Sequence, residues 1–186
     1  MAFHTCSLKG LVIVEPTVFE DSRGYFFEAY NQNLFQQNGI NCNFVQDNQS
    51  RSSYGVIRGL HYQLNPFAQS KLVRVLEGEI LDVAVDIRKN SPTHGQHFSI
   101  VLSAENKKQL FIPPGFAHGF SVLSDIAIVL YKCDAFYNKQ SEAGIRYSDN
   151  ELNIDWKIQA GKEIISEKDI QLPSLKEATS NFEFAG

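Results

Sequence analysis

The sequence predicts an all-β fold, a sandwich or barrel of the jelly-roll type with short peripheral helices. Short apolar segments, each bounded by turn-forming residues, recur at near-regular spacing along the chain. The composition of 14 Phe and 7 Tyr beside one Trp and one Met favours strands with aromatic walls. Only one early segment carries a helix signal. No linker, repeat or low-complexity tract interrupts the 186 residues, so residues 1–186 are expected to form a single domain.

The predicted elements follow from local patterns. A strand at 11–14 precedes a turn at 21–24 and a strand at 25–30, and a helix is predicted at 31–37 because Gly39 suits a C-terminal cap. Glu77-Gly78-Glu79 is interpreted as a hairpin turn. The tail from residue 166 onward is expected to form short helical turns outside the barrel. Further strands are predicted at 43–49, 55–63, 71–77, 80–87, 97–103, 108–112, 119–123 and 126–133.

Composition excludes several classes of protein. The chain is 43% hydrophobic and 20% charged, as is ordinary for a globular protein, and its net charge of -4 with no basic run argues against a nucleic-acid partner. No apolar run approaches the length of about 20 residues that a membrane span requires. The three cysteines (Cys6, Cys42 and Cys133) are too scattered for a disulfide framework or a zinc site. We therefore expect a soluble, cytoplasmic protein.

Two predicted strands place polar side chains on otherwise apolar faces. On the strand at 80–88 one face is aliphatic, and the other carries Asp82, Asp86 and Arg88 and is expected to meet water or a polar cavity. Lys71 shares a face with Val73 and Val75. A lysine in that position lies either at the barrel mouth or inside a functional cavity.

The strand at 55–63 carries both Arg58 and His61, which strict alternation would place on opposite faces. Gly59 between them is a residue that tolerates a β-bulge, and a bulge would turn one of the two side chains to the other face. The pattern leaves both arrangements open.

The same strand resembles half of a cupin metal motif, but with ligands missing. Gly55 is followed after five residues by His61, whereas Gln63 stands where the motif has a second His, and no Glu follows shortly after. The second half-motif, Pro-x-Gly-x-x-His, ends at His118. The resemblance implies a cupin-type double-stranded β-helix. With so few ligands we expect no metal and no cofactor, and His61 becomes a candidate acid or base.

A more specific resemblance runs nearly from end to end. Its segments include Arg23-Gly24, Gln46-Asp47-Asn48, Arg58-Gly59-Leu60-His61, Lys71-Leu72-Val73, Asp82-Val83-Ala84-Val85-Asp86, Gly115-Phe116-Ala117-His118, Tyr131-Lys132 and Lys168-Asp169. In order and spacing these segments are similar to the dTDP-4-dehydrorhamnose 3,5-epimerase family. The resemblance implies an isomerase of dTDP-L-rhamnose biosynthesis, which supplies polysaccharides such as O-antigen. It implies conversion of dTDP-4-keto-6-deoxy-D-glucose to dTDP-4-keto-L-rhamnose, without a cofactor, by a homodimer.

The resemblance also implies a role for each site residue. His61 would be the base, supported by Asp169, while Tyr131 would donate a proton from the opposite face and Lys71 would stabilise the enolate. Arg23 and Glu28 are further expected to reach the neighbouring subunit's site. The residues implied in substrate binding are Arg23, Glu28, Gln46, Asp47, Asn48, Arg58, Lys71, His118, Tyr137, Glu142 and Lys168.

Structural roles compete with these assignments. A lone strand histidine such as His61 is more often structural, and Tyr131 fits a core tyrosine. Ser166-x-x-Asp169 has the form of a helix capping box, a role that can coexist with catalysis. Three other functions stay open: a single-carbon epimerase or ketoisomerase of a related nucleotide-linked 4-keto sugar, a non-catalytic nucleotide-sugar binding module, and a metal-dependent cupin oxygenase.

Overall fold

The computed structural model describes residues 1–185, which form two facing antiparallel sheets and a separate two-stranded hairpin of Phe19–Asp21 and Gly24–Phe26. In chain order the elements are β1 (Ala2–Thr5), β2 (Val12–Glu15), β3 (Phe19–Asp21), β4 (Gly24–Phe26), α1 (Gln32–Gln37), β5 (Gln46–Ser53), β6 (Ile57–Gln63), β7 (Lys71–Glu77), β8 (Glu79–Asp86), β9 (His97–Ser103), β10 (Gln109–Ile112), β11 (Phe116–Val122), β12 (Ile126–Cys133), a 3₁₀ turn (Lys139–Ser141), β13 (Glu142–Gly144) and α2 (Glu167–Ile170). One sheet has six strands in the order β1-β2-β10-β7-β12-β5, and the other has five in the order β13-β6-β11-β8-β9. The predicted all-β, cupin-type barrel with short peripheral helices is confirmed.

Three apolar layers hold the sheets. Between the sheets, Val73 and Leu110 from the six-stranded sheet pack in one cluster with Ile80 and Phe120 from the five-stranded sheet. Outside the six-stranded sheet, a second cluster includes Phe35 of α1. Outside the five-stranded sheet, the aliphatic face of β8 packs with residues of the C-terminal segment at 145–182. Both faces of β8 are therefore covered, which explains why nearly the whole strand is buried.

The prediction of a hairpin at Glu77-Gly78-Glu79 is wrong. Strand β7 pairs with β10 and β12, whereas β8 pairs with β9 and β11 in the other sheet. Gly78 has φ +76°, and a Cβ atom there would collide with the carbonyl oxygen of Ile126. Gly78 therefore lies at a tight corner where the chain passes from one sheet to the other. A hairpin turn would have the same local sequence signal.

The strand predicted at 25–30 is also shorter than expected, because β4 ends at Phe26. Beyond it, the ring of Tyr30 lies 4.9 Å from that of Phe35 and 5.2 Å from that of Phe44, measured between centroids. These edge-on aromatic contacts hold the segment against α1 rather than in the β3–β4 hairpin.

The helices are few and short. Helix α1 is confirmed, with the Asn31 side chain accepting from two backbone N–H groups and Gly39 at φ +82° after the last turn. In the tail only Glu167–Ile170 is α-helical, and the remainder packs on the five-stranded sheet without a further helix among the described residues. No helix in residues 1–185 is long and apolar enough to cross a bilayer.

A bulge interrupts the pairing of β6 with β11. His61 pairs with His118 and Arg58 with Phe120, so two residues of β6 oppose one of β11. The backbones approach closely here, since a Cβ on Gly59 would lie 2.5 Å from the Cα of Gly119. The bulge turns Arg58 and His61 to the same side, and both line the cavity between the sheets.

Replacing Gly59 with alanine is expected to destabilise the fold more than the same change at Gly24. Both glycines have nearly equal φ angles, +123° and +124°, but a Cβ at Gly24 meets no atom within 4 Å. Both changes add backbone strain of roughly 1–3 kcal/mol, and Gly59→Ala adds overpacking of about 2 kcal/mol. Urea unfolding at fixed protein concentration, followed by the fluorescence of Trp156, measures the difference. Equal losses would show that the close approach to β11 is unimportant.

Candidate active site

A cavity of about 500 Å³ lies between the two sheets. His61 and His118 line it from the five-stranded sheet, and Lys71 and Tyr131 line it from the six-stranded sheet. A second space of about 380 Å³ shares His61, Lys71 and Tyr131 and extends towards β5 and the loop after β12. Together they form one cleft with these three side chains at its centre. A larger cavity of about 680 Å³ lies near the C-terminal tail and is lined by none of the predicted site residues.

His61 is paired with a buried carboxylate. Its Nε2 lies 2.7 Å from Oδ1 of Asp169, a residue only 4% exposed, and the Gly59 N–H donates to Oδ2. Burial by itself raises the pKa of Asp169, but the hydrogen bond and charge of His61, with help from Gly59 and Ser166, hold this pKa below its usual value. Asp169 is therefore ionised at neutral pH and acts only as an acceptor.

The Ser166 hydroxyl caps α2 by accepting from the Asp169 N–H at 3.1 Å. The capping alternative is thus correct for Ser166, and the same short helix also aims the Asp169 carboxylate at β6. Capping fixes the backbone of residue 169, and the side chain then reaches His61 across 108 residues of sequence.

A second histidine–carboxylate pair stands beside the first. Nε2 of His118 lies 2.7 Å from Oδ1 of Asp82, which is fully buried. Burial lowers the pKa of His118 although Asp82 acts in the opposite sense, and the charges of Lys71 and His61 lower it further. The sequence indicated a polar face on β8 but no partner for Asp82. The expectation that this face meets water or a polar cavity is wrong for both carboxylates: Asp82 is fully buried behind His118, which itself lines the cavity, and the Asp86 carboxylate is buried against Arg88 at 2.7 Å.

Lys71 and Tyr131 occupy the opposite wall. The Lys71 ammonium lies 5.8 Å from the centroid of the Tyr131 ring. Burial lowers the pKa of Lys71, while the charges of Cys133, Asp82 and Glu142 act to raise it. Burial raises the pKa of the Tyr131 hydroxyl, with Cys133 acting in the same sense and Arg58 against it. Tyr131 therefore holds its proton at neutral pH and can donate it.

At the outer end of the cleft a chain of polar groups connects Tyr137, Glu142 and Lys168. The Tyr137 hydroxyl donates to Glu142 at 2.9 Å, and the Lys168 ammonium donates to the other carboxylate oxygen at 2.6 Å. The backbone N–H of Tyr137 donates to the side chain of Gln46 at 3.2 Å. Asn48, on the same face of β5 as Gln46, also lines the cleft.

Three of the predicted binding residues lie elsewhere. Asp47 points away from the cleft and pairs with Lys132 at 2.9 Å. Arg23 is on the β3–β4 hairpin, where its side chain is 88% exposed and pairs with Asp21. Glu28 accepts from Asn31 at 3.1 Å. None of the three lines the cleft, and their roles stay predictions.

Gln63 stands where a cupin has its second histidine, and its side chain is committed to backbone groups. The amide nitrogen donates to the carbonyl oxygen of Phe67 at 2.6 Å, and the amide oxygen accepts from the N–H of Asn138 at 2.7 Å. Gln63 thus holds the loop that carries Tyr137. Within residues 1–185 no group of three or more His, Cys, Asp or Glu side chains is arranged to hold a metal ion.

Asp169→Asn is expected to lower the free energy of unfolding by about 1–3 kcal/mol at pH 7, because it weakens a buried charge-assisted hydrogen bond. The folded-state pKa of Asp169 lies below its usual value of 3.8. Its stabilising effect is thus fully present above pH 4 and is lost as the pH falls through the folded-state pKa. Urea unfolding should therefore give a lower free energy of unfolding for the variant than for the wild type at pH 5–7, and this difference should narrow below pH 4. A difference that widens on acidification would contradict the lowered pKa of Asp169.

The chain is similar to known proteins over most of its length. The family model described as dTDP-4-dehydrorhamnose 3,5-epimerase matches residues 5–177. The dTDP-4-dehydrorhamnose 3,5-epimerase of Shigella flexneri is 56% identical over 164 residues, which is 88% of this chain and 90% of the relative.

Solved structures give the same result. The crystal structure of dTDP-4-dehydrorhamnose 3,5-epimerase from Elizabethkingia anophelis has a TM-score of 0.91 and 54% identity, covering 95% of this chain and 97% of that one. A 3,5-epimerase from Legionella pneumophila, in complex with dTDP-4-keto-L-rhamnose, has a TM-score of 0.91 and 46% identity, covering 95% and 93%. The predicted resemblance and enzyme class are confirmed: the chain belongs to the dTDP-4-dehydrorhamnose 3,5-epimerase family, whose members are isomerases.

Proposed function

We propose that this chain inverts carbons 3 and 5 of dTDP-4-keto-6-deoxy-D-glucose to give dTDP-4-keto-L-rhamnose, with His61 and Tyr131 acting on opposite faces of the hexose. Inversion next to a ketone requires a proton to leave one face of the sugar and another to arrive on the opposite face. The observation that carries the proposal is that His61 and Tyr131 line one cavity from two facing sheets.

His61 is the base. Because the Asp169 carboxylate can only accept, the His61 nitrogen bonded to it, Nε2, carries the proton. The other ring nitrogen, Nδ1, then holds the lone pair that removes the proton from carbon 3 or carbon 5. Asp169 fixes this tautomer and stabilises the imidazolium that forms.

The electrons released from the C–H bond move onto the C4 oxygen and form an enolate. The ammonium of Lys71 lines the same cavity as His61 and Tyr131, and it stabilises the charge on this oxygen. The environment of Lys71 suits this role, because a charge in a buried site acts more strongly than in water. Removing one such fixed donor typically costs about 3–4 kcal/mol of transition-state stabilisation in other enzymes.

Tyr131 completes each inversion. Its hydroxyl, which keeps its proton at neutral pH, donates to the carbanion carbon from the six-stranded sheet side as the ketone re-forms. Each inversion leaves His61 protonated and Tyr131 deprotonated, so a proton must return from His61 to Tyr131 through solvent twice in each turnover. The partly exposed His61 side chain, at 33%, permits that exchange.

Most of the remaining predicted residues that line the cleft are assigned to binding the nucleotide part. Arg58 and Lys168 supply positive charge for the diphosphate, and Tyr137 lies 55% exposed at the rim, as a ring that stacks on thymine requires. Gln46, Asn48 and Glu142 line the passage between rim and centre, and His118 contacts the hexose.

Arg23 and Glu28 are assigned to the site of a second copy in a homodimer. Arg23 lies in the turn of the β3–β4 hairpin and Glu28 follows the hairpin, on which Phe19, Tyr25 and Phe26 are 60–70% exposed. Such an apolar surface favours a protein partner. We also place the protein in the cytoplasm, where its substrate would be made and its three free cysteines would stay reduced.

The test is proton NMR of dTDP-4-keto-6-deoxyglucose with the purified protein in deuterium oxide. Deuterium at both carbons, and a rhamnose-configured product when a reductase is added, would establish the double epimerase. Label and inversion at one carbon would favour the single-carbon alternative. Saturable binding without exchange would favour the non-catalytic module, and loss of activity after removal of metal by a chelator would favour metal chemistry.

His61→Asn is expected to lower turnover by at least ~10²-fold, since it replaces the base with a smaller polar side chain that cannot take up the proton. Deuterium incorporation should fall in parallel at both carbons. His97→Asn on β9, away from the cleft, is the matched control and should leave the rate unchanged. Near-normal turnover of the His61 variant would refute the assignment of the base.

Tyr131→Phe is expected to lower turnover by ~10²-fold or more while leaving affinity for dTDP unchanged. Because His61 still removes and returns protons on its own face, deuterium should enter the sugar faster than inversion occurs. A variant that loses nucleotide affinity but inverts at the normal rate would contradict the role of Tyr131 as donor.

A further inference from the structure

The inward face of β5 carries a row of polar side chains along the wall of the cleft. Gln46, Asn48, Ser50 and Ser52 alternate with exposed residues of the same strand. Three of the four are engaged within the protein: Gln46 donates to Asn48 at 2.9 Å, and Ser52 accepts from Arg58 at 3.1 Å. The exception is Ser50.

The Ser50 hydroxyl is buried and has no hydrogen-bond partner within residues 1–185. Ser50 nevertheless lines the same cavity as His61, Lys71 and Tyr131. A hydroxyl held away from water without a partner costs free energy, so it is retained where something else satisfies it. Rotation about the Cα–Cβ bond of Ser50 is enough to turn the hydroxyl towards the cavity.

We propose that Ser50 binds the hexose of the nucleotide sugar through a hydrogen bond to a ring hydroxyl. The inference rests on the function proposed above and adds a residue that the family resemblance did not supply. In a 4-keto-6-deoxyhexose the ring hydroxyls are those on carbons 2 and 3, and carbon 3 is one of the two reacting centres. A contact there orients the ring between base and acid.

The position of Ser50 suits this contact. Asn48 pairs with Tyr131 across the sheet, and Ser50 pairs with Val129 two residues further along. At about 3.4 Å per residue, Ser50 lies roughly 7 Å along the strand from the level of Tyr131, a distance that a hexose and its hydroxyls can bridge. A serine hydroxyl both donates and accepts, so it can follow the C3 hydroxyl as that carbon inverts.

The experiment compares Ser50→Ala with Ser53→Ala, a change of an exposed serine on the opposite face of the same strand. Isothermal titration measures the affinity of each protein for dTDP and for dTDP-L-rhamnose, and the NMR assay gives kcat/KM. For Ser50→Ala we expect affinity for dTDP-L-rhamnose and kcat/KM to fall about tenfold, as for loss of one hydrogen bond. Affinity for dTDP should not change, and the urea midpoint should not fall. Ser53→Ala should match the wild type throughout.

Several outcomes would overturn the inference. They are unchanged affinity for the nucleotide sugar in Ser50→Ala, an equal loss of affinity for dTDP, a lowered urea midpoint that reveals a structural hydroxyl, or an equal effect of Ser53→Ala. Failure of the proposed function is distinguishable, because the wild type itself would then show no deuterium exchange. A wild type that exchanges normally beside an unaffected Ser50→Ala would reject Ser50 alone.

Discussion

The contact between His61 and Asp169 is the interaction on which the site depends. It joins strand β6 to a segment 108 residues later in the chain, and Asp169 also accepts from the backbone of the β6 bulge. The segment that supplies Asp169 continues over the outer face of the five-stranded sheet, where it buries the aliphatic side of β8. Orientation of the proposed base therefore depends on the tail, since the carboxylate reaches His61 only when the tail is in place.

The second constraint is that the barrel has two walls. The five-stranded sheet supplies His61, His118 and Asp82, helix α2 supplies Asp169 behind His61, and the six-stranded sheet supplies Lys71 and Tyr131. Because facing sheets pack about 10 Å apart, a base on one and an acid on the other leave room for a flat enolate between them. An enzyme that inverts two carbons with one base and one acid must turn the sugar between steps. The open cleft permits that motion, whereas the two walls keep the reacting groups on opposite faces.

Much of the fold could be predicted from local sequence, and the features that could not be predicted share a physical cause. Strand positions from β6 to β12 follow approximately from apolar segments, whereas β5 is polar and covers Gln46–Ser53 instead of the predicted 43–49. Gly59 between two polar residues made a bulge one of two possible arrangements, and the structure has the bulge. The corner at Gly78 could not be predicted, because a glycine turn has the same local signal whether the next strand pairs with the last or crosses to the facing sheet. Asp82 was placed on a polar face, but its pairing with His118 depends on which strands become neighbours.

The environments of the two histidines explain why one of them is suited to be the base. The carboxylates of both pairs are similarly buried, yet the side chain of His61 is 33% exposed and that of His118 only 7%. The base must exchange its proton with solvent in each turnover, which His61 can do. Burial, reinforced by the charges of Lys71 and His61, lowers the pKa of His118 and favours its neutral form, which can hold a sugar hydroxyl without competing for the proton. The unequal exposure of two otherwise similar pairs therefore supports the proposal that His61 is the base and that His118 binds the sugar.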